Sequence, residues 1–184
     1  MTQYDIVGIV GTDHHPFERM LDWVAQAAAE FPRSPVLVQR GTVGERDGLD
    51  TVDYLTPEDL DKVIAGASAV ICHGGPGTIS TVRRAGHLPL VIPRDPRLGE
   101  HVDDHQLRFC EATAEAGRIV LVRSVEQLRD SIRLCLSGAA PVVSDDHDPR
   151  AAALRLGSLI QDLVAEHTPP RPWRQRILIR RALH

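Results

Sequence analysis

Short apolar runs alternate with segments of helical periodicity about every thirty residues, and this alternation limits the chain to a narrow set of folds. Ile6-Val7-Gly8-Ile9-Val10 is strand-like and ends at Gly11-Thr12. After Pro16, apolar residues Phe17, Met20, Leu21, Val24 and Ala28 recur at helical spacing. Pro35-Val36-Leu37-Val38-Gln39 reads as a second strand, Glu45 to Asp50 as a loop, and Asp53-Tyr54-Leu55 as a short third strand. Thr56-Pro57-Glu58-Asp59 has a capping residue, a proline and two acids in the order that opens a helix, which should end near Gly66. Ala69-Val70-Ile71 is the next strand, followed by glycines and a helix from Thr78 to about Gly86. Leu88 to Pro93 and Arg118 to Val122 are further strands, flanking a turn-rich loop from Arg94 to Glu100 and a helix from about Asp103 to Ala116. Ser124 caps a helix bearing Leu128, Ile132 and Leu136, and Asp148-Pro149 starts another that runs to Val164.

Strands and helices in this order imply right-handed crossovers and a parallel sheet covered on both faces. The expected fold class is therefore α/β, a Rossmann-like doubly wound parallel sheet with a C-terminal helical tail. The length of 184 residues suits one such domain, placed at 1–166, with a tail at 167–184. In these sheets ligands bind beyond the carboxyl ends of the strands. Gly11-Thr12, Gly41-Thr42, His73 to Thr78 and Arg94 to Gln106 all fall there.

Among these loops, Ile71-Cys72-His73-Gly74-Gly75-Pro76-Gly77-Thr78 carries the strongest chemical signal. Glycines permit close backbone approach, and the free amides and dipole of a helix start favour an anion. A strand-to-helix turn whose glycines solve only a steric problem is the bland alternative. His73 and Thr78 beside the glycines tip the reading towards a phosphate site.

Other chemistries lack their signatures. Gly8-Ile9-Val10-Gly11-Thr12-Asp13 does not follow the dinucleotide fingerprint, which disfavours a nicotinamide-dependent oxidoreductase. No glycine loop ends in Gly-Lys-Ser or Gly-Lys-Thr, and the single lysine, Lys62, sits in an expected helix. A nucleophile elbow of the G-x-S-x-G kind is also missing. Asp13-His14-His15, His101 to His105 and Asp145 to Asp148 contain metal-ligand residue types. Helix capping and solvated loop polarity account for them more simply, because none has the recurring spacing of a metal motif. Cys72, Cys110 and Cys135 are odd in number and far apart, as buried thiols are.

Three segments together resemble one family: His73-Gly74-Gly75-Pro76-Gly77-Thr78, Ala85-Gly86-His87-Leu88-Pro89-Leu90-Val91-Ile92-Pro93 and Glu100-His101-Val102-Asp103-Asp104-His105-Gln106. They are similar to the glycosyltransferase family 28 C-terminal domain, the donor-binding half of GT-B glycosyltransferases. Stand-alone versions of that half occur as soluble subunits of two-component GlcNAc and exopolysaccharide transferases. The resemblance implies that Gly74, Gly75, Gly77 and Thr78 hold a nucleotide diphosphate, with a side-chain contact from His73. It further implies that Gln106 reaches sugar hydroxyls with Asp104 and His105 nearby, and that Gly11 and Thr12 line the facing side of the cleft. Related enzymes use a Glu in the helix after the glycine loop on the ribose, whereas Arg83-Arg84 stand in that region here.

The same resemblance implies an inverting transferase that needs neither metal nor cofactor. Its partners would be a UDP-sugar donor, a membrane-anchored acceptor-binding subunit and a lipid-linked acceptor, with no nucleic acid. The general base would lie mainly on the partner, so no catalytic residue is expected on this chain. A non-catalytic nucleotide-binding scaffold and a metal-dependent hydrolase using His101, Asp104 and His105 are the competing readings.

The overall charge of −4 conceals a polarity: Arg171, Arg174, Arg176, Arg180 and Arg181 make the tail basic and the body correspondingly more acidic. A helix there would have an apolar and an arginine side, suited to a partner subunit or an anionic membrane. No apolar run approaches a membrane span and the N-terminus lacks a signal pattern, so the expected location is cytoplasmic, peripheral to the inner face of the membrane through the partner.

Overall fold

The computed structural model describes residues 3–139. The expected helix after Asp148, the boundary at 166/167 and the basic tail lie outside the described residues.

Six strands and five helices alternate: β1 (Ile6–Ile9), α1 (Glu18–Ala28), β2 (Val36–Gln39), β3 (Asp50–Val52), α2 (Pro57–Gly66), β4 (Ala69–His73), α3 (Pro76–Arg84), β5 (Leu90–Ile92), α4 (His105–Glu115), β6 (Val120–Leu121) and α5 (Val125–Leu136). All pairings are parallel, in the order β3-β2-β1-β4-β5-β6. Strand order thus reverses between β1 and β4, and their loops diverge to leave a crevice at the carboxyl edge.

Alternation along the strands divides the core into two layers. Ile6, Ala69, Ile71, Leu90 and Ile92 face α1 and α5, where Met20, Leu21, Val24, Leu128 and Ile132 complete one cluster. Val7, Ile9, Val70, Cys72 and Val91 face the other way and pack on Ile64, Ile79, Val82 and Cys110 from α2, α3 and α4. Strands buried on both sides need continuous apolar runs, which is why these segments stand out in the sequence.

Local signals explain the helix starts. The Thr56 hydroxyl accepts from the Asp59 N–H, and Ser124 accepts likewise from Gln127 N–H. Replacing Thr56 with alanine is expected to lower stability by about 1 kcal/mol in a urea titration, because an orphan amide at the start of α2 loses its acceptor.

Several details differ from expectation. The third strand is Asp50–Val52, paired with Leu37 to Gln39, and not Asp53-Tyr54-Leu55. Edge position explains the shift: one partner strand and partial burial suffice for a polar strand, while Tyr54 lies past the pairing with its side chain largely exposed. α3 begins two residues early, at Pro76, since proline suits the first helical position. Within the turn-rich loop, Pro96–Leu98 forms one turn of 3-10 helix, started by Asp95 accepting from Arg97 N–H and closed by Gly99.

Candidate functional site

The strand reversal places two loops side by side, Val10 to Pro16 after β1 and His73 to Gly75 after β4. His73 ends β4 with its ring between two backbones. A Cβ on Gly11 would lie 2.5 Å from His73 Nε2, and one on Gly75 would lie 2.2 Å from its Cε1. Gly11 also has φ +88°, a left-handed conformation that glycine adopts without strain. Gly74 is tight for another reason: a Cβ there would sit 2.7 Å from Cys110 Sγ and 3.0 Å from Gln106 Oε1 on α4. Most glycines of the loop therefore admit the protein's own side chains. Gly77, in the first turn of α3, has nothing within 4 Å of a Cβ position. The open space in the loop is at this helix start.

His73 Nε2 lies 3.1 Å from Thr78 Oγ1, tying the end of β4 to the first turn of α3. Its Nδ1 is buried without a partner among the described residues. Burial first, then the charge of Arg94, lowers the imidazole pKa to about 4, so the ring is neutral near pH 7. Gly75 at the cap of α3 supplies no capping side chain, and Pro76 has no N–H. The helix consequently presents uncapped amides and its positive dipole end beside an uncharged donor-acceptor pair.

Arg94, two residues past the end of β5, is completely buried, a finding not anticipated from the sequence. Its Nη1 donates to the carbonyls of His15 at 2.8 Å and Glu100 at 3.0 Å, and Nη2 donates to Val10 at 3.3 Å. The guanidinium carbon lies 4.6 Å from the centre of the Phe17 ring. Its backbone N–H donates to Gln106 Oε1 at 3.3 Å. One residue thus joins the loop after β1, the loop after β5 and α4. Glu100, also buried, accepts from Arg19 through both carboxylate oxygens at 2.9 and 2.6 Å and from Asp95 N–H at 2.9 Å. The cue available in the sequence was a charged residue between two prolines adjoining a buried strand, Pro93-Arg94-Asp95-Pro96.

The loop after β1 is organised by Asp13. Its Oδ1 accepts from His15 N–H at 2.8 Å and lies 2.6 Å from His15 Nδ1. Burial works to raise the Asp13 pKa, but the bonds from His15 and the charge of Arg94 outweigh it and hold the group at about 2. Asp13 Oδ2 faces His101 Nε2 at 3.5 Å.

Of the residues named from the sequence, Gly11, His73, Gly74, Gly75, Thr78 and Gln106 come together, with Gly77 open beside them. Thr12 is exposed next to Gly11. Asp104 and His105 are exposed at the start of α4 and paired locally, Asp104 with Arg108 at 2.8 Å and His105 with Asp103 at 2.8 Å. His101, Asp104 and His105 do not form a ligand set. Among the described residues, the donor atoms that gather are those of Asp13, His14 and His15, within 4.8 Å of one another. Asp13 Oδ1 there is already occupied by two bonds to His15. Cys72 and Cys110 are buried free thiols whose pKa values are raised by burial, Cys110 to about 12, which leaves them inert.

Residues 33–151 match the glycosyltransferase family 28 C-terminal domain. The chain belongs to this family. The chain is similar to a UDP-N-acetylglucosamine--N-acetylmuramyl-(pentapeptide) pyrophosphoryl-undecaprenol N-acetylglucosamine transferase of Cupriavidus pinatubonensis. It is 33% identical over 64% of this chain and 35% of its own length. A UDP-N-acetylglucosamine transferase subunit ALG13 of Cryptococcus neoformans is 37% identical over 41% of this chain and 36% of its own. The chain thus spans about a third of the length of these curated relatives. Two solved structures share the fold of the family 28 domain. One is the glycosyltransferase of kitacinnamycin, at 21% identity and TM-score 0.50 over 90% of this chain and 40% of that one. The other is spinosyn forosaminyltransferase SpnP, at 19% identity and TM-score 0.52 over 91% and 41%. No described helix of this family 28 chain is long and apolar enough to cross a membrane.

Proposed function

We propose that this chain is the UDP-sugar-binding subunit of an inverting, metal-independent glycosyltransferase, acting with a membrane-associated partner on a lipid-linked acceptor in polysaccharide assembly. The observation that carries the donor site is the uncapped start of α3 beside neutral His73 and Thr78, at the strand reversal. The diphosphate takes up one further negative charge as the sugar leaves it, and fixed amides with a helix dipole form a preorganised anion hole that stabilises this charge without a bound ion. Gly77 leaves room for phosphate oxygens, and Thr78 adds a hydroxyl donor. Gln106, whose Oε1 is held by the Arg94 amide, keeps its NH2 for a sugar hydroxyl. The Cryptococcus relative is itself a transferase subunit, which supports a two-component arrangement.

Calorimetry on the isolated chain tests the reading. UDP should bind with one-to-one stoichiometry. Thr78→Val, which keeps shape but removes the hydroxyl, should weaken binding roughly tenfold, the worth of one hydrogen bond to a charged group. A folded chain with no affinity for UDP or a UDP-sugar would reject it.

A further inference from the structure

The loop after β1 holds an assembly that the donor site does not use. Asp13 is an ionised carboxylate with His15 Nδ1 at 2.6 Å from Oδ1. An acceptor-only oxygen at that distance requires a proton on Nδ1, so in the neutral ring it is Nε2 that carries the lone pair. The other carboxylate oxygen faces His101 at a longer distance. His101 Nδ1 lies 3.3 Å from the Asp103 amide nitrogen and 3.4 Å from Asp103 Oδ1, and its Nε2 lies 3.5 Å from Asp13 Oδ2.

His15 is anchored at three further points. Its N–H is bonded to Asp13 at 2.8 Å, its carbonyl accepts from buried Arg94 at 2.8 Å, and its ring stacks obliquely on His14 with centroids 4.2 Å apart. The ring keeps 24% of its surface exposed, and no described residue bonds to Nε2. His14 has no comparable hold, being 87% exposed and 3.8 Å from the carboxylate. Position completes the case. Asp13 and His15 follow Gly11 at the carboxyl end of β1, and Gly11 is in contact with the His73 ring beside the anion hole of α3.

From this geometry we infer that His15, oriented by Asp13, is the general base of glycosyl transfer and is carried by this chain. The inference rests on the donor-site reading above, and it departs from the expectation that the base sits on the partner. In the step, the acceptor hydroxyl gives its proton to His15 Nε2 while its oxygen bonds to the anomeric carbon. The bond from that carbon to the diphosphate oxygen breaks, and its electron pair leaves with UDP, held by the α3 amides. Asp13 stabilises the imidazolium that forms.

The test uses the full chain in two arms. In the first, diethyl pyrocarbonate acylates unprotonated imidazoles with and without UDP-N-acetylglucosamine, whose binding is followed separately by calorimetry. Mass spectrometry should show His15 modified, and at least tenfold more slowly with saturating donor, while His87 at the far end of α3 is unaffected. In the second, the chain is added to membranes of its source organism lacking the endogenous copy, which provide partner and acceptor. His15→Gln and Asp13→Asn should transfer sugar roughly a hundredfold more slowly at unchanged donor affinity. Wild-type transfer by His15→Gln overturns the inference, as does donor that binds without slowing His15 acylation. Absence of donor binding altogether rejects the donor-site reading and this inference with it.

Discussion

Gly11→Ala is expected to destabilise the chain by on the order of 3 kcal/mol, lowering the thermal midpoint by roughly 10 °C. Two costs combine. Alanine at φ +88° meets its own carbonyl, and its Cβ would lie 2.5 Å from His73 Nε2 and 2.8 Å from both Cδ2 and Cε1. The ring cannot retreat, because a Cβ on Gly75 across it would be 2.2 Å from Cε1, leaving no free volume on that side. Relief requires His73 to leave its place and give up its 3.1 Å contact with Thr78. Gly77→Ala is the matched control. Open space surrounds that Cβ position, and alanine favours the helix, so stability should be unchanged or rise by up to about 1 kcal/mol. On the proposed donor site, UDP affinity should nevertheless fall, since the methyl group would occupy space left open to the diphosphate. Calorimetric unfolding and UDP titration of both variants separate the two roles of glycine. Equal midpoints for Gly11→Ala and the parent would show that the His73 ring is not confined as described.

The same contrast shows what the sequence disclosed. Continuous apolar runs such as Val70-Ile71-Cys72 and helix starts such as Thr56-Pro57 reflect local physics, burial on both sheet faces and capping, so the strand-helix order was legible. The edge strand was not: Asp50-Thr51-Val52 is polar because one side of it needs no partner, and its pairing with Leu37 to Gln39 is a tertiary fact. The glycine loop was recognisable, but the division of labour within it was not. Gly11, Gly74 and Gly75 accommodate His73, Gln106 and Cys110, residues up to 62 positions distant, while Gly77 alone of the four is open. Arg94 was hidden for a related reason. An arginine among turn formers reads as solvated, and only the meeting of three loops turns it into a buried hub for the carbonyls of Val10, His15 and Glu100. Asp13-His14-His15 was visible as a polar cluster, yet its order, one carboxylate holding one imidazole by side chain and backbone, depends on Arg94 behind it.

The confinement of His73 should also make the fold sensitive to mild acid. In the unfolded chain a histidine binds a proton below about pH 6.5, whereas native His73 remains neutral until about pH 4. Between these values the unfolded state binds more protons, so stability falls as pH decreases, and above pH 6.5 the group contributes no pH dependence. Fully developed, the loss is on the order of 3 kcal/mol. Asp13 cannot mimic it, because its pKa of about 2 lies below the window, and its own stabilisation is lost only as pH drops towards that value. Urea midpoints measured from pH 7.5 to 4.5 should therefore decline, and His73→Asn, which cannot titrate, should flatten the decline while starting from a lower stability at pH 7.5. A parent curve no steeper than that of the variant would mean that His73 is protonated in the native state. Protonated His73 would then be a cation at the anion hole, and UDP affinity would rise on acidification through its pKa. A neutral ring predicts no such rise, since the proposed site would meet the diphosphate with amides and a hydroxyl whose charge does not change with pH.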